Sequence, residues 1–339
     1  MTRVRSVLVP VAALALLALG ARGARADIAN AGSSVGGFLA VPPGAAAPGM
    51  AGTTLALSGD LAMATFNPAS LGGLSGFGLA LAHSQLPDGS RHEWAAVGGK
   101  LGPTATRWAI TGLYAGQGSF EGRDAANQPT GSFGASSTAL GVAFAQPLFH
   151  IATLGAGAKF VSENLASTSG SGFTFDAGLL ARAGMIAIGA SAQNVSGGIR
   201  YGGIDYSFPV NYGAGIAFEH PAGLRLEVDA NFPDDYYNDV RAGAEYLWHD
   251  RFALRAGYRR ELGGDPTTDP LDGPSFGIGA GVHGVWFDYA YLPAATGQSE
   301  QRVGLVLRAG RLGWQGRELG AKTAPAAAPA TAENEKTKP

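Results

Sequence analysis

From about residue 71 to residue 309, apolar and polar side chains alternate with a period of two. This is the mark of β-strands with two unlike faces. Leu224, Leu226, Val228, Ala230 and Phe232 share one face of one such segment; Arg225, Glu227, Asp229 and Asn231 share the other. Phe252, Leu254, Ala256 and Tyr258 alternate in the same way with Arg251, Ala253, Arg255, Gly257 and Arg259. Periodicity alone also fits a soluble sandwich. What separates the two is the polar face, built from Gly, Asp, Glu and Arg with little of the Lys, Thr and Ser that cover a soluble sheet. Glycine and paired charges suit the crowded, concave inside of a closed barrel.

The pattern predicts about 14 strands, at 71–84, 92–101, 105–117, 134–147, 151–164, 172–183, 185–195, 209–219, 223–232, 238–248, 250–261, 274–283, 284–292 and 299–309. Their lengths are close to the roughly 9–11 residues that a tilted membrane strand needs. Odd-numbered connections are mostly long (85–91, 118–133, 196–208, 262–273 and 293–298) and even-numbered ones are tight, as at 102–104, 148–150, 184 and 220–222. Outer-membrane barrels have short periplasmic turns, longer external loops and an even strand number. The expectation is therefore an all-β fold: a transmembrane antiparallel β-barrel in a bacterial outer membrane, with both termini periplasmic and lipid as its surroundings.

Composition agrees with this. The 339 residues include 53 glycines, about twice the usual share, and 15% charged residues against about 25% in an average domain. Mean hydropathy is only +0.08, although 46% of the residues are hydrophobic. Residues 1–26 read as a cleaved export signal: Arg3 and Arg5, an apolar run over 6–20, then Ala24-Arg25-Ala26. Its removal takes away four arginines and leaves 20 basic against 26 acidic residues, a net charge of −6. That balance does not favour nucleic acid, which asks for a basic stripe. With no cysteine, disulfides, thiolate metal sites, cysteine nucleophiles and lipidation on cysteine are excluded. Residues 27–70, small, apolar and proline-bearing, are expected to fold inside or under the barrel as a hatch, with 71–310 as the barrel and 311–339 as a disordered, Ala/Pro-rich periplasmic tail.

Charges on the inward face are the first candidates for function. Arg225, Arg241, Arg251, Arg255 and Arg259 come from three consecutive strands, with Glu227, Asp229 and Glu245 among them. One reading is a cross-strand ion-pair ladder that packs the lumen. The other is an arginine surplus that holds an anionic ligand head or docks the hatch. His150, His220, His249 and His283 fall at the tight turns, where an interfacial belt accounts for them. Asp265, Asp269 and Asp272 lie in one long loop and Asp234, Asp235 and Asp239 in another, without the spacing of a calcium loop.

Enzyme motifs do not survive their context. Gly32-Ser33-Ser34-Val35-Gly36 matches G-x-S-x-G but lacks the strand before it that a nucleophile elbow needs. Gly279-Ala280-Gly281-Val282-His283-Gly284 matches G-x-G-x-x-G but closes a strand and opens no helix. The chain reads as a non-enzyme that calls for no cofactor.

Several segments resemble a known family. Residues 38–45 (Phe-Leu-Ala-Val-Pro-Pro-Gly-Ala), Gly49-Met50-Ala51-Gly52 and Asn67-Pro68-Ala69-Ser70-Leu71 resemble the N-terminal signature of PorV/PorQ outer-membrane proteins, which are similar to the wider FadL-type transporters. Phe175-Asp176-Ala177-Gly178-Leu179-Leu180, Gln193-Asn194-Val195-Ser196-Gly197-Gly198, Gly243-Ala244-Glu245-Tyr246, Arg255-Ala256-Gly257-Tyr258 and Asp288-Tyr289-Ala290-Tyr291 look like strands and a turn of that family. Ala46 stands where the family often has arginine, and Ala309 where its last strand usually has an aromatic. The resemblance implies a 14-stranded barrel with a hatch ending at an Asn-Pro-Ala motif. It marks Gly49, Met50, Asn67, Pro68 and Ala69 as hatch residues. It implies a gated channel for small hydrophobic or amphipathic molecules or, in the alternative, an accessory or shuttle protein of a type IX-like secretion system with envelope or secretion proteins as partners; a structural barrel without transport is a more remote alternative.

Overall fold

The computed structural model describes residues 34–148, 151–263, 272–293, 297 and 299–309. The leader at 1–26, His150, Asp265, Asp269 and the tail at 311–339 lie outside the described residues. Among the described residues sixteen strands are formed, in chain order: β1 (Phe77–Gln85), β2 (Arg91–Lys100), β3 (Arg107–Arg123), β4 (Pro129–Leu148), β5 (Ala152–Leu165), β6 (Thr168–Ala183), β7 (Ile186–Gln193), β8 (Gly198–Tyr201), β9 (Ile204–Ser207), β10 (Asn211–Glu219), β11 (Leu224–Pro233), β12 (Asn238–Trp248), β13 (Phe252–Leu262), β14 (Gly273–Val282), β15 (Val285–Pro293) and β16 (Ser299–Ala309). Fourteen of them close into one antiparallel barrel, with β1 paired to β16 from Phe77↔Ala309 to Gln85↔Gln301. β8 and β9 form a separate hairpin.

The period of two places each side chain. On β11, Leu226 and Val228 point out and are 42% and 47% exposed, while Arg225, Glu227 and Asp229 point in and are buried. Phe252, Leu254 and Tyr258 face out on β13, as do Phe276 and Ile278 on β14 and Phe287 and Tyr291 on β15. A continuous exposed apolar band of this kind is a lipid-facing surface. Among the described residues no helix is long and apolar enough to cross a membrane.

Both β1 and β16 have their free ends at the tight-turn end of the barrel. Two of those turns contain histidine with a left-handed backbone: His249 and Asp250 at φ 51° and 53°, and His283 and Gly284 at φ 49° and 87°. Consecutive positive φ values are what a tight hairpin turn requires. Exposed Trp248 stacks near Phe252, with ring centroids 5.9 Å apart, in the place expected of an interfacial aromatic.

The structure corrects the sequence reading in four places. The first strand begins at Phe77, because Pro68–Gly73 winds into a 3-10 helix. The long loop expected at 118–133 is mostly strand: β3 and β4 stay paired through Phe120↔Phe133 to Arg123↔Pro129, around a bulge between Gly116 and Ser119. The connection at 196–208 holds the β8–β9 hairpin, with Ile199 and the following Phe208 buried and its tip exposed. Arg251 is an exposed turn residue ahead of β13, not a lumen-facing one.

Candidate functional site

Residues 34–74 run through the barrel lumen as short 3-10 turns and extended chain, most of it buried from Pro43 onward. With few long side chains and little regular structure, this segment must satisfy its backbone polar groups against the wall. The wall supplies acceptors at matching heights. Asp229 accepts from the backbone N–H groups of Thr54 (2.8 Å) and Leu55 (3.3 Å), and Glu227 from that of Ala56 (2.6 Å). The Ser275 hydroxyl accepts from Ala51 N–H at 2.7 Å. In the other direction, Gln193 donates to the Phe66 carbonyl (2.8 Å), Arg107 to that of Leu74 (2.6 Å) and Arg302 to that of Pro42.

Inward-facing glycines let the segment lie flat on the wall. A Cβ on Gly189 would overlap the Leu55 carbonyl, one on Gly257 the backbone of Met50 and Ala51, and one on Gly155 the backbone of Pro68 and Ala69. Gly49 sits against Gly277 in the same way, with a Cβ there 3.0 Å from the Gly277 Cα. Part of the glycine excess is therefore a seat for the inner segment.

The Asn-Pro-Ala motif is the pivot of that seat. Asn67, fully buried, caps the Pro68–Gly73 turn by accepting from Ala69 N–H at 3.1 Å. Its amide donates to the Leu55 carbonyl (2.7 Å) and to the Leu179 carbonyl of β6 (3.3 Å). Pro68 fits the first position of the turn because it has no N–H to satisfy. Met50 packs with Ala56, Leu57 and Met63 against Ala187 and Ala217 of the wall. Asn67→Ala removes a cap and orphans a buried carbonyl, and each loss is worth about 1–2 kcal/mol. The expected outcome is a lower temperature for loss of the compact, fast-migrating band on semi-native gels; an unchanged transition would contradict the pivot role.

The inward charges pair across strands. Arg225 contacts Glu219 (3.1 Å) and Glu245 (3.6 Å), and Arg255 bridges Glu245 (2.7 Å) and Asp288 (2.6 Å). Arg241 and Arg259 both reach Asp239, at 2.7 and 3.1 Å, and Arg259 also reaches Glu261 at 3.0 Å. Asp239 belongs to β12 and the lumen, not to a loop aspartate cluster. These arginines meet carboxylates, and Arg241 also donates to the Gly52 carbonyl of the inner segment at 3.5 Å, while Glu227 and Asp229 accept from three of that segment's N–H groups. Sequence reasoning missed Ser275 and Gln193 and gave Arg302 no such role; inward parity on their strands is the signal that finds them.

The β8–β9 hairpin and residues 34–40 cover the β3–β6 side of the lumen. Phe208 and Ile199 are buried there, and the Val35 N–H donates to the Ser207 carbonyl at 3.1 Å. Tyr201 donates to Glu163 at 3.3 Å, and burial followed by that carboxylate pushes its hydroxyl up to about 12. Ser34 of the G-x-S-x-G match donates to Asp235. Among the described residues no three metal-ligating side chains come together.

On the β10–β16 side the lumen stays open as a cavity of about 370 Å³ at the long-loop end. Its floor is the inner segment at Pro42, Pro48, Ala51, Gly52 and Phe66. Its walls carry Leu86, Pro209, Pro233, Tyr236, Pro274 and Leu292, with Asp239, Arg241, Arg259 and Arg302 lower down.

No protein-family model matches the chain, and no curated protein sequence matches it significantly. Solved structures do match. The toluene transporter TbuX of Ralstonia pickettii aligns at 15% identity with a TM-score of 0.58, over 78% of this chain and 98% of that one. The toluene transporter TodX of P. putida aligns at 13% identity and 0.54, over 78% and 96%. A FadL homologue of Pseudomonas aeruginosa aligns at 12% identity and 0.54, over 78% and 98%. The chain shares the fold of these FadL-like barrels.

Proposed function

We propose that the protein is a gated channel of the bacterial outer membrane for small hydrophobic or amphipathic molecules. One observation carries this reading: a cavity of about 370 Å³ opens at the long-loop end of a closed barrel and ends on a chain segment seated in the lumen. Its volume falls in the roughly 300–1,000 Å³ range of small-molecule sites. A guest enters from the long-loop side, rests on residues 34–74 and leaves once that segment shifts, so the segment is the hatch. The tight turns and both chain ends then face the periplasm, in keeping with the usual sorting of loops in such barrels. The transporters that share the fold support the same reading, and they lend none to a secretion partner. The step is transfer, not chemistry. In cells lacking the protein, uptake of the hydrophobic dye 1-N-phenylnaphthylamine is expected to fall several-fold and to return on complementation. Equal uptake with and without the protein rejects the proposal.

A further inference from the structure

We infer that Asp239 sets the charge selectivity of the cavity and holds it to uncharged guests. This rests on the reading of the cavity as the channel's ligand site. Asp239, with a side chain only 2% exposed, accepts from four donors at once. These are Arg241 Nε (2.7 Å) and Nη2 (3.0 Å), Arg259 Nη2 (3.1 Å) and Asn231 Nδ2 (3.1 Å). It thereby occupies the two guanidinium groups on the β12–β13 side of the cavity. The third lining arginine, Arg302, is held by Glu300 and by the Pro42 carbonyl. Asp235 and Asp272 also line the cavity, so four carboxylates face three guanidinium groups.

The lining amides are engaged too. Asn211 donates to Gln193 (3.3 Å) and to Asn231 (3.2 Å), and Gln193 donates to the Phe66 carbonyl (2.8 Å). A carboxylate guest would have to displace a carboxylate already bound at these distances, in a lining with no surplus of positive charge. An uncharged guest meets proline, Leu and Phe66 surfaces and disturbs none of these pairs. Selectivity of this sort is a difference between two affinities, and the repulsive element makes it.

The test is titration calorimetry of the full chain in lipid nanodiscs, with empty nanodiscs subtracted, using 3-phenylpropan-1-ol and its carboxylate counterpart 3-phenylpropanoate. Wild type is expected to bind the alcohol and to bind the carboxylate far more weakly. Asp239→Asn keeps the shape, removes the charge that holds Arg241 and shares Arg259, and is expected to bind the carboxylate roughly tenfold tighter than wild type. Retained alcohol binding shows that the variant is folded. Wild type binding both probes equally, or Asp239→Asn leaving their ratio unchanged, overturns the inference while the channel reading stands. If wild type binds neither probe, the ligand-site reading falls and the inference falls with it.

Discussion

Replacing Glu227 and Asp229 together by alanine is expected to unseat residues 34–74, the proposed hatch, and open the barrel to ions. The two carboxylates accept from three consecutive backbone N–H groups, those of Thr54, Leu55 and Ala56. A buried donor left without any acceptor costs roughly 1–3 kcal/mol. Three orphaned donors in a row fall at the middle of a segment with little regular structure of its own, between the Ser275 contact at Ala51 and the Gln193 contact at Phe66. In planar bilayers the double variant should conduct with larger and longer openings than wild type. Glu227→Gln with Asp229→Asn keeps an acceptor oxygen at each place and should stay nearly as closed as wild type. Wild-type conductance in the alanine variant would mean that the hatch is held by something else.

The period of two made the barrel legible. On β11 the outward Leu226 and Val228 and the inward Arg225, Glu227 and Asp229 lie where alternation puts them, because a one-residue slip would move a charge into lipid. Strand ends were less legible. The pairing of β3 with β4 beyond Gly116 uses Phe120 and Phe133 but also Gly, Ser and Thr, which read as loop. Arg251 shares the parity of Arg255, yet parity does not say where a strand stops, and the turn at His249 and Asp250 takes it out of the ladder. The β8–β9 hairpin is only four residues per strand, too short for a periodic signal.

The site was legible as a set of residues and not as a set of contacts. Alternation gathers Arg225, Arg241, Glu245, Arg255 and Arg259 on one face, and it leaves open whether they bind a guest, the hatch or one another. The register decides this: Arg225, Glu245 and Arg255 lie in one row across β11, β12 and β13, so opposite charges meet directly. Which strand faces Thr54 or Ala51 depends on the path of residues 34–74, and nothing in that irregular stretch encodes a path by pattern. The inward glycines mark the path once it is known. In the sequence they are indistinguishable from glycines such as Gly112 that face lipid.

That distinction is testable with the chain's lack of cysteine. With Ala56→Cys as the single thiol, Gly189→Val is expected to raise labelling by a membrane-impermeant maleimide by roughly tenfold to a hundredfold. Ala56 is fully buried against the wall, so its thiol reacts only when the hatch lifts. The valine side chain at position 189 would occupy the volume of the Leu55 carbonyl, which is backbone and has no rotamer by which to yield. Overpacking of this kind costs typically 1–3 kcal/mol, and each 1.4 kcal/mol is a factor of ten in the open population that the reagent samples. Gly112→Val is the matched control: a Cβ there meets nothing nearer than the Leu140 side chain at 3.7 Å, on the outer face. Its labelling rate should equal that of the parent. Equal rates in all three proteins would show that the hatch does not rest on the wall at Gly189. A rise in both valine variants would point to general loosening of the barrel, because only a seated hatch makes the inner glycine matter more than the outer one.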